Sequence, residues 1–386
     1  MVRIAWISGI TLESLDRATW IETCDNLSLN NFSTTLFIRK KKGNRCDAIK
    51  ETTNMNFKIV EIDYNTKKFI GFLGFPIKAI KYVLKNYANY DVIYFQERMV
   101  IFVFFLDLIY HIDRGKVKYV CDTRTIPMIT KKGLRKIYKN IWWRMSYYIA
   151  GKFCDGITAI TEELANFAYP NIEKEIGIWG SGVNLYKFSP QNFKFRMKRP
   201  CNNIIKFIYI GAITTERDLE SFIKAVSKFP HKAIFNIYGF AENSSYSSEL
   251  ENFIITNEIK NVFIQKPVPH NMVPEILSTH HVGVIPFPND FIFSVSSPIK
   301  LFEYIAMGMI IVAPTGKYLD NYLLNYPLSF RFSQSAGSNL GDVIKKILTT
   351  HDIVNKIPYI NDAILENISW SSQSTKLITY LDKLLK

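Results

Sequence analysis

The residues best suited to chemistry in this chain are basic ones placed where helices should begin. In the run Ser296-Ser297-Pro298-Ile299-Lys300-Leu301-Phe302-Glu303-Tyr304-Ile305-Ala306-Met307-Gly308, Lys300 and Glu303 stand three residues apart and share one face of a helix. Near a helix N-terminus an ammonium can meet a phosphate. A carboxylate there can accept hydrogen bonds from two adjacent hydroxyls, such as those of a ribose. Ser297 fits the N-cap, Pro298 the first helical position and Gly308 the C-terminal stop. Taken alone, the same spacing also describes a surface Lys–Glu pair.

A second helix start has a similar character. In Tyr209-Ile210-Gly211-Ala212-Ile213-Thr214-Thr215-Glu216-Arg217-Asp218 a strand should end at Ile210 and a helix begin near Arg217 or Asp218, with Leu219, Phe222, Ile223 and Val226 as its apolar stripe. Gly211 allows a sharp turn and the approach of a ligand. The helix start offers free N–H groups and a positive dipole end to an anion. Arg217 adds a fixed charge whose fork matches a phosphate. A plain strand–helix turn with a solvated Arg would read the same way.

Elements that could position these residues alternate along the chain. In the first half, strands are predicted over residues 3–8, 34–39, 58–62, 92–95, 118–121 and 156–159, with helices over 75–87 and 134–148 among them. The greasiest stretch, 99–112, contains Asp107 and is too short to span a bilayer, so it predicts a buried core helix. Residues 189–203 carry Pro190, Pro200 and little periodicity, as a linker does. A fresh series follows, with strands over 207–210, 233–238, 262–264, 282–286 and 310–313, helices over 219–229, 248–256, 272–278 and 298–307, and a last helix over 371–385. This alternation predicts an α/β protein of two doubly wound, Rossmann-like domains. A ligand would lie in a cleft between them, at the carboxyl ends of the strands.

The bulk composition narrows the function. With 386 residues, 48% of them hydrophobic, the chain can build two cores, and its net charge of +14 favours anionic partners. The five cysteines are widely spaced and form no C-x-x-C, which argues against a disulfide framework or zinc site and for a reducing cytoplasm. The opening residues read as a buried strand, not as a signal peptide. Between Thr130 and Lys152 lie Lys131, Lys132, Arg135, Lys136, Lys139, Arg144 and Lys152 with no acid, interleaved with Trp142, Trp143 and Tyr147. Residues 131–152 could thus rest on an anionic membrane, placing the protein peripherally on its inner face. An ordinary domain helix with a solvated basic face is the other reading. No nucleic-acid module accompanies the charge, so nucleic acid is not expected as a partner. No G-x-G-x-x-G follows the first strand, which argues against a Rossmann dehydrogenase.

Across nearly the whole chain these motifs resemble the family-4 retaining glycosyltransferases of GT-B fold. Gly180-Ser181-Gly182-Val183-Asn184-Leu185-Tyr186-Lys187-Phe188-Ser189-Pro190 resembles that family's pre-linker "N-G-V-D-x-x-x-F-x-P". Gly211 to Arg217 resembles its phosphate-contacting turn. Ser297 to Ala313 resembles "S-P-x-K-x-x-E-Y-x-A-x-G-x-P-V-V-A". Asp122-Thr123-Arg124, Ala159 to Leu164 and Asn367 to Trp370 resemble "D-x-R", "A-V-S-E-x-L" and "F-S-W". The likeness is specific between Gly180 and Ala313 and loose in the first hundred residues.

The resemblance implies an acceptor-binding domain over 1–185, a nucleotide-sugar-binding domain over 186–365, and a helix over 366–386 packing back toward the first. It implies a donor site of Gly211, Arg217, Ser297, Lys300 and Glu303. Of these, Arg217 and Lys300 would hold the diphosphate of a UDP- or GDP-linked sugar, and Glu303 would bind the ribose. Gly9, Asp122 and Arg124 become acceptor-side candidates. The expected reaction retains stereochemistry and is independent of metal, since no D-x-D pair is present and the two cations can stabilise the leaving diphosphate. No cofactor is expected. The acceptor would be a glycan or a polyprenyl-linked glycan, and the Lys-, Asn- and Ile-rich composition suits microbial surface-polysaccharide assembly. Two positions depart from the family. Val295 stands where many members carry a second Glu, eight residues before Glu303, and Ala212 stands where a basic residue often follows the turn glycine. They leave open a catalytically inactive binding subunit. Another GT-B enzyme, such as a nucleotide-sugar epimerase or a phosphorylase, would need a His–carboxylate set or a cofactor lysine site, and neither is evident.

Overall fold

A computed structural model of the chain describes residues 1–12, 17–40, 49–52, 56–62, 71–110, 115–126, 134–193, 204–239, 244–287, 291–333, 339–350 and 362–386. The chain divides into two compact units. The first comprises Met1–Gly182, Val295–Ser297 and Trp370–Lys386; the second comprises Val183–Ser294 and Pro298–Ser369.

The first unit is built on β1 (Val2–Ile7), β2 (Phe32–Arg39), β3 (Ile49–Thr52), β4 (Lys58–Ile62), β5 (Val92–Gln96), β6 (Lys118–Thr123), β7 (Gly156–Ala159) and β8 (Ile176–Ile178), in the spatial order β3-β4-β2-β1-β5-β6-β7-β8. All pairings are parallel except β3 with β4. Both faces of the sheet are covered, which is why these strands read as continuous apolar runs. Ala5 and Ile7 of β1 enter one core with Phe95 and Cys121. Ile4 and Trp6 enter the other with Tyr94 and Trp179. The last helix, Trp370–Leu385, adds Leu377, Tyr380 and Leu381 to that second core. Its Tyr380 hydroxyl accepts from the Ile157 N–H at 2.8 Å.

The second unit carries β9 (Ile205–Ile210), β10 (Ala233–Tyr238), β11 (Val262–Gln265), β12 (Val282–Val284), β13 (Ile310–Pro314) and β14 (Ser329–Phe332), all parallel, in the order β11-β10-β9-β12-β13-β14. That order reverses direction at β9, the arrangement in which α/β sheets bind ligands beyond the carboxyl ends of their strands. The first unit reverses in the same way at β1.

Most predicted elements are present, with shifted ends. The apolar stretch 99–112 is a correction. It forms a helix over Val100–Tyr110 that buries Val100, Ile101, Val103 and Asp107 but exposes Phe105, Leu108 and Ile109, so it is not a buried core helix. The helix around Lys300 also differs. It spans Ile299–Ala306, and Pro298 takes the cap position in extended conformation without a side-chain cap bond. Ser297 therefore does not cap it. Its end follows expectation: Gly308 adopts φ 65°, and the N–H groups of Gly308 and Met309 bond to the carbonyls of Ile305 and Tyr304.

Candidate functional site

The loop after the central strand of the second unit gathers the two cations singled out in the sequence. Gly211 sits directly after β9 with φ 151°, a conformation that side chains rarely adopt. A Cβ at this position would lie 3.0 Å from Lys300 Nζ and 3.1 Å from Lys300 Cε. A Cβ at Gly239, after β10, would lie 2.1 Å from the Gly211 carbonyl oxygen. Two glycines thus open the turn, one for the ammonium and one for the turn's own backbone. Arg217 ends a short 3₁₀ turn, Thr215–Arg217, ahead of the helix Leu219–Ser227, whose Leu219, Phe222, Ile223 and Val226 are buried.

Aromatic rings hold both cations. The Arg217 guanidinium carbon lies 4.8 Å from the Phe287 ring centroid and 4.9 Å from that of Phe293. Lys300 Nζ lies 5.2 Å from the Tyr209 ring and 5.4 Å from the Phe287 ring. Ring faces attract cations without neutralising them. Among the described residues no carboxylate forms an ion pair with Lys300 or Arg217, and Arg217 Nε is buried without a hydrogen-bond partner. Lost hydration, and then the positive charge of Arg217, lower the Lys300 pKa to about 7 against the pull of Glu303. The site is a pair of basic donors set against aromatic rings.

Glu303 is buried on the same helix as Lys300, and its Oε1 lies 2.8 Å from His270 Nε2. His270 comes from a 3₁₀ turn, His270–Met272, and its ring lies 5.6 Å from that of Phe188. Phe188 follows a turn in which Asn184 Oδ1 accepts from the N–H groups of Tyr186 and Lys187. The pre-linker motif therefore seats Phe188, which meets the histidine that holds Glu303. Sequence reasoning missed His270, Tyr209, Phe287 and Phe293. His270 lies in the proline-bounded run Pro267-Val268-Pro269-His270-Asn271-Met272-Val273-Pro274, a local signal that could have drawn notice.

Ser297 is tied to Ser181. Its Oγ accepts from the Ser181 N–H at 3.0 Å and its carbonyl accepts from the Ser181 hydroxyl at 3.0 Å, both within the first unit. Val295 is buried, and its carbonyl accepts from the Thr161 hydroxyl. Thr161 also caps the helix Glu162–Ala168 by accepting from the Leu164 N–H, so that motif is structural here. Ala212 offers its carbonyl to the Tyr209 hydroxyl at 2.6 Å. The buried His280 and His281 act as packing groups, with His281 Nδ1 accepting from the Lys206 N–H at 2.9 Å.

The acceptor-side candidates lie at the carboxyl ends of strands in the first unit. The Gly9 N–H donates to Gln96 Oε1 at 3.4 Å, and Gln96 pairs in register with Asp122. A Cβ at Gly9 would lie 3.0 Å from Arg98 Nη2 and 3.3 Å from Arg39 Nη2, so two arginines far apart in the chain meet at this turn. Asp122 is fully buried and accepts from the Thr158 hydroxyl at 2.8 Å; burial raises its pKa although Arg124 opposes this. Arg124 stacks over Trp179 at 3.9 Å and donates to the Trp179 carbonyl.

No protein-family model matches this chain, and no curated protein matches its sequence. Solved structures do match in fold. Sucrose-phosphate synthase from Thermosynechococcus elongatus is 12% identical with a TM-score of 0.75, covering 100% of this chain and 99% of that one. The catalytic domain of starch synthase IV from Arabidopsis thaliana, bound to ADP and acarbose, is 12% identical with a TM-score of 0.72 over the same shares. HepE from Anabaena, in complex with UDP and glucose, is 10% identical with a TM-score of 0.71, covering 99% of this chain and 100% of that one. Likeness at this identity gives the fold. The chain is an α/β protein of GT-B fold, with two Rossmann-like units.

Proposed function

We propose that this protein is a glycosyltransferase that takes its sugar from a nucleoside diphosphate donor held by the second unit. One observation carries the reading: Lys300 and Arg217 converge beside Gly211, at the switch point of a doubly wound sheet, with no anionic partner among the described residues. A diphosphate supplies that anion. Placed beside Lys300, it raises the lysine's pKa and keeps the ammonium form. Glu303, steadied by His270, is the acceptor for the ribose hydroxyls. Support from outside comes from the fold shared with starch synthase IV bound to ADP and HepE bound to UDP.

As the sugar carbon becomes cationic in the transition state, the leaving diphosphate gains negative charge. Arg217 and Lys300, set in advance on aromatic rings, stabilise that charge without reorganising. The reading includes retention of configuration, independence of metal, no cofactor, and a glycan or lipid-linked acceptor bound by the first unit through Gly9, Asp122 and Arg124. Surface-polysaccharide assembly is the process that fits such an acceptor.

Calorimetric titration with UDP, GDP and ADP in EDTA tests the donor site. One nucleotide should bind without metal, and Lys300→Ala or Glu303→Ala should weaken it by about tenfold or more while leaving the melting temperature near that of the parent. Failure of all three nucleotides to bind would remove the reading and leave a binding subunit without donor chemistry.

A further inference from the structure

The most unusual surface of the first unit belongs to the helix Val100–Tyr110 and the helix Leu134–Phe153. The second of these turns Ile137, Ile141, Met145 and Tyr148 outward at helical spacing, with Tyr138 beside them, each between 46% and 70% exposed. Its buried side holds Ser146, Tyr147 and Ala150. A domain helix ordinarily buries its apolar stripe and shows water its polar one; this helix shows water an apolar stripe. The first helix adds Phe105, Leu108 and Ile109, between 54% and 67% exposed. The two pack together, with the rings of Phe102 and Trp142 5.7 Å apart and those of Phe104 and Phe153 5.2 Å apart. Contiguous apolar surface of this kind marks a place that is covered in use.

The charge on these helices chooses the cover. The sequence of Leu134–Phe153 contains Arg135, Lys136, Lys139, Arg144 and Lys152 and no acid, and Arg144 and Lys152 are exposed. The single acid of Val100–Tyr110, Asp107, is turned inward, where it accepts from the Tyr119 hydroxyl at 2.7 Å. The outward face therefore offers apolar and aromatic groups with positive charge alone. We infer that this two-helix face docks on an anionic lipid bilayer. Aliphatic and aromatic side chains enter the headgroup boundary while Arg144 and Lys152 meet lipid phosphates. A second copy of the chain would set positive face against positive face. None of the described helices is long and apolar enough to cross a membrane, so the face lies on the bilayer. Residues 131–133 of the basic run lie outside the described residues, and the inference does not use them.

Sedimentation of the full chain with vesicles tests this independently of any nucleotide. Phosphatidylcholine vesicles are compared with vesicles of equal parts phosphatidylcholine and phosphatidylglycerol. The parent should bind the anionic vesicles about tenfold more tightly, with affinity falling as salt rises. Combined Ile109→Ser, Ile141→Ser and Tyr148→Ser should lower that affinity by about tenfold. Should that variant melt below the parent, combined Arg144→Gln and Lys152→Gln decides, and it should lose the preference for anionic vesicles. A parent that fails to bind anionic vesicles overturns the inference, as does a well-folded serine variant that binds like the parent. A parent that forms dimers the serine variant cannot form, without binding vesicles, would assign the face to self-association. Titration of the same preparations with UDP, GDP and ADP keeps this result separate from the fate of the donor site.

Discussion

Lys300 Nζ lies 3.0 Å from where a side chain at Gly211 would begin, so the ammonium occupies the space that the missing Cβ leaves open. The relationship couples a backbone requirement to a charge. Gly211→Ala would place a methyl group against Lys300 at φ 151°, a conformation that costs a side chain about 1–3 kcal/mol. We expect a lower melting temperature and nucleoside diphosphate binding weakened by about tenfold. Thermal melts and calorimetry on the one variant check both. Unchanged binding would place the phosphate away from Gly211.

The lowered pKa of Lys300 makes binding depend on pH. Free Lys300, at about 7, is mostly neutral in mildly alkaline solution, whereas beside a diphosphate it is charged. Binding must therefore take up a proton above neutrality. At about pH 8.5 the uptake should approach one proton, and affinity should fall toward tenfold for each further pH unit. Calorimetry in two buffers of different ionisation enthalpy measures this. Lys300→Arg, which cannot lose its proton in this range, should abolish the uptake. Uptake that persists in the Arg variant would assign the proton to another group.

Much of this site was legible because its chemistry is local. The spacing of Lys300 and Glu303, the strand end before Gly211 and the stop at Gly308 are all features of short runs. What escaped was built from segments far apart. Phe287 and Phe293 reach Arg217 across 70 residues or more of chain, and nothing near Arg217 announces them. Ser297 has the composition of an N-cap, but its Oγ accepts from Ser181, 116 residues away, a bond no local pattern reveals. The outward face of Val100–Tyr110 escaped because a short apolar run reads as buried whichever way its side chains point. Of the strands, β3, β8 and β14 escaped; each is four residues or fewer at a sheet edge, as is β11, whose apolar Val262-Phe263-Ile264 made it legible.

The pairing of Glu303 with His270 separates ribose binding from phosphate binding. His270→Ala should free Glu303 Oε1 and weaken nucleoside diphosphate binding by about three- to tenfold. Binding of inorganic pyrophosphate, which has no ribose, should stay near that of the parent. Combined His270→Ala and Glu303→Ala should be no weaker than Glu303→Ala alone, because the histidine acts through the carboxylate. Additive losses would mean that His270 touches the nucleotide itself.

The two units should respond to acid in opposite directions. In the second unit, burial lowers the pKa of His280 and His281 from the ordinary 6.5 to about 4, with Lys206 adding to both shifts and His280 to that of His281. Unfolded chains then bind more protons than folded ones, and stability is lost as pH falls from about 6.5 to about 4. Each histidine contributes up to about 3 kcal/mol across that window. In the first unit, burial raises the Glu97 carboxyl to about 7 although Arg98 opposes it. There the folded state holds the extra proton, so this stabilisation is fully present below about pH 4.5 and is lost as pH rises through 7. Hydrogen exchange at about pH 7 and pH 5, corrected for intrinsic rates, resolves the two. Acidification should lower protection in β9, β10 and β12 and raise it in β5 and β6. Glu97→Gln should remove the gain in the first unit and leave the loss in the second untouched. Parallel loss in both units would show that Glu97 is ionised in the folded protein.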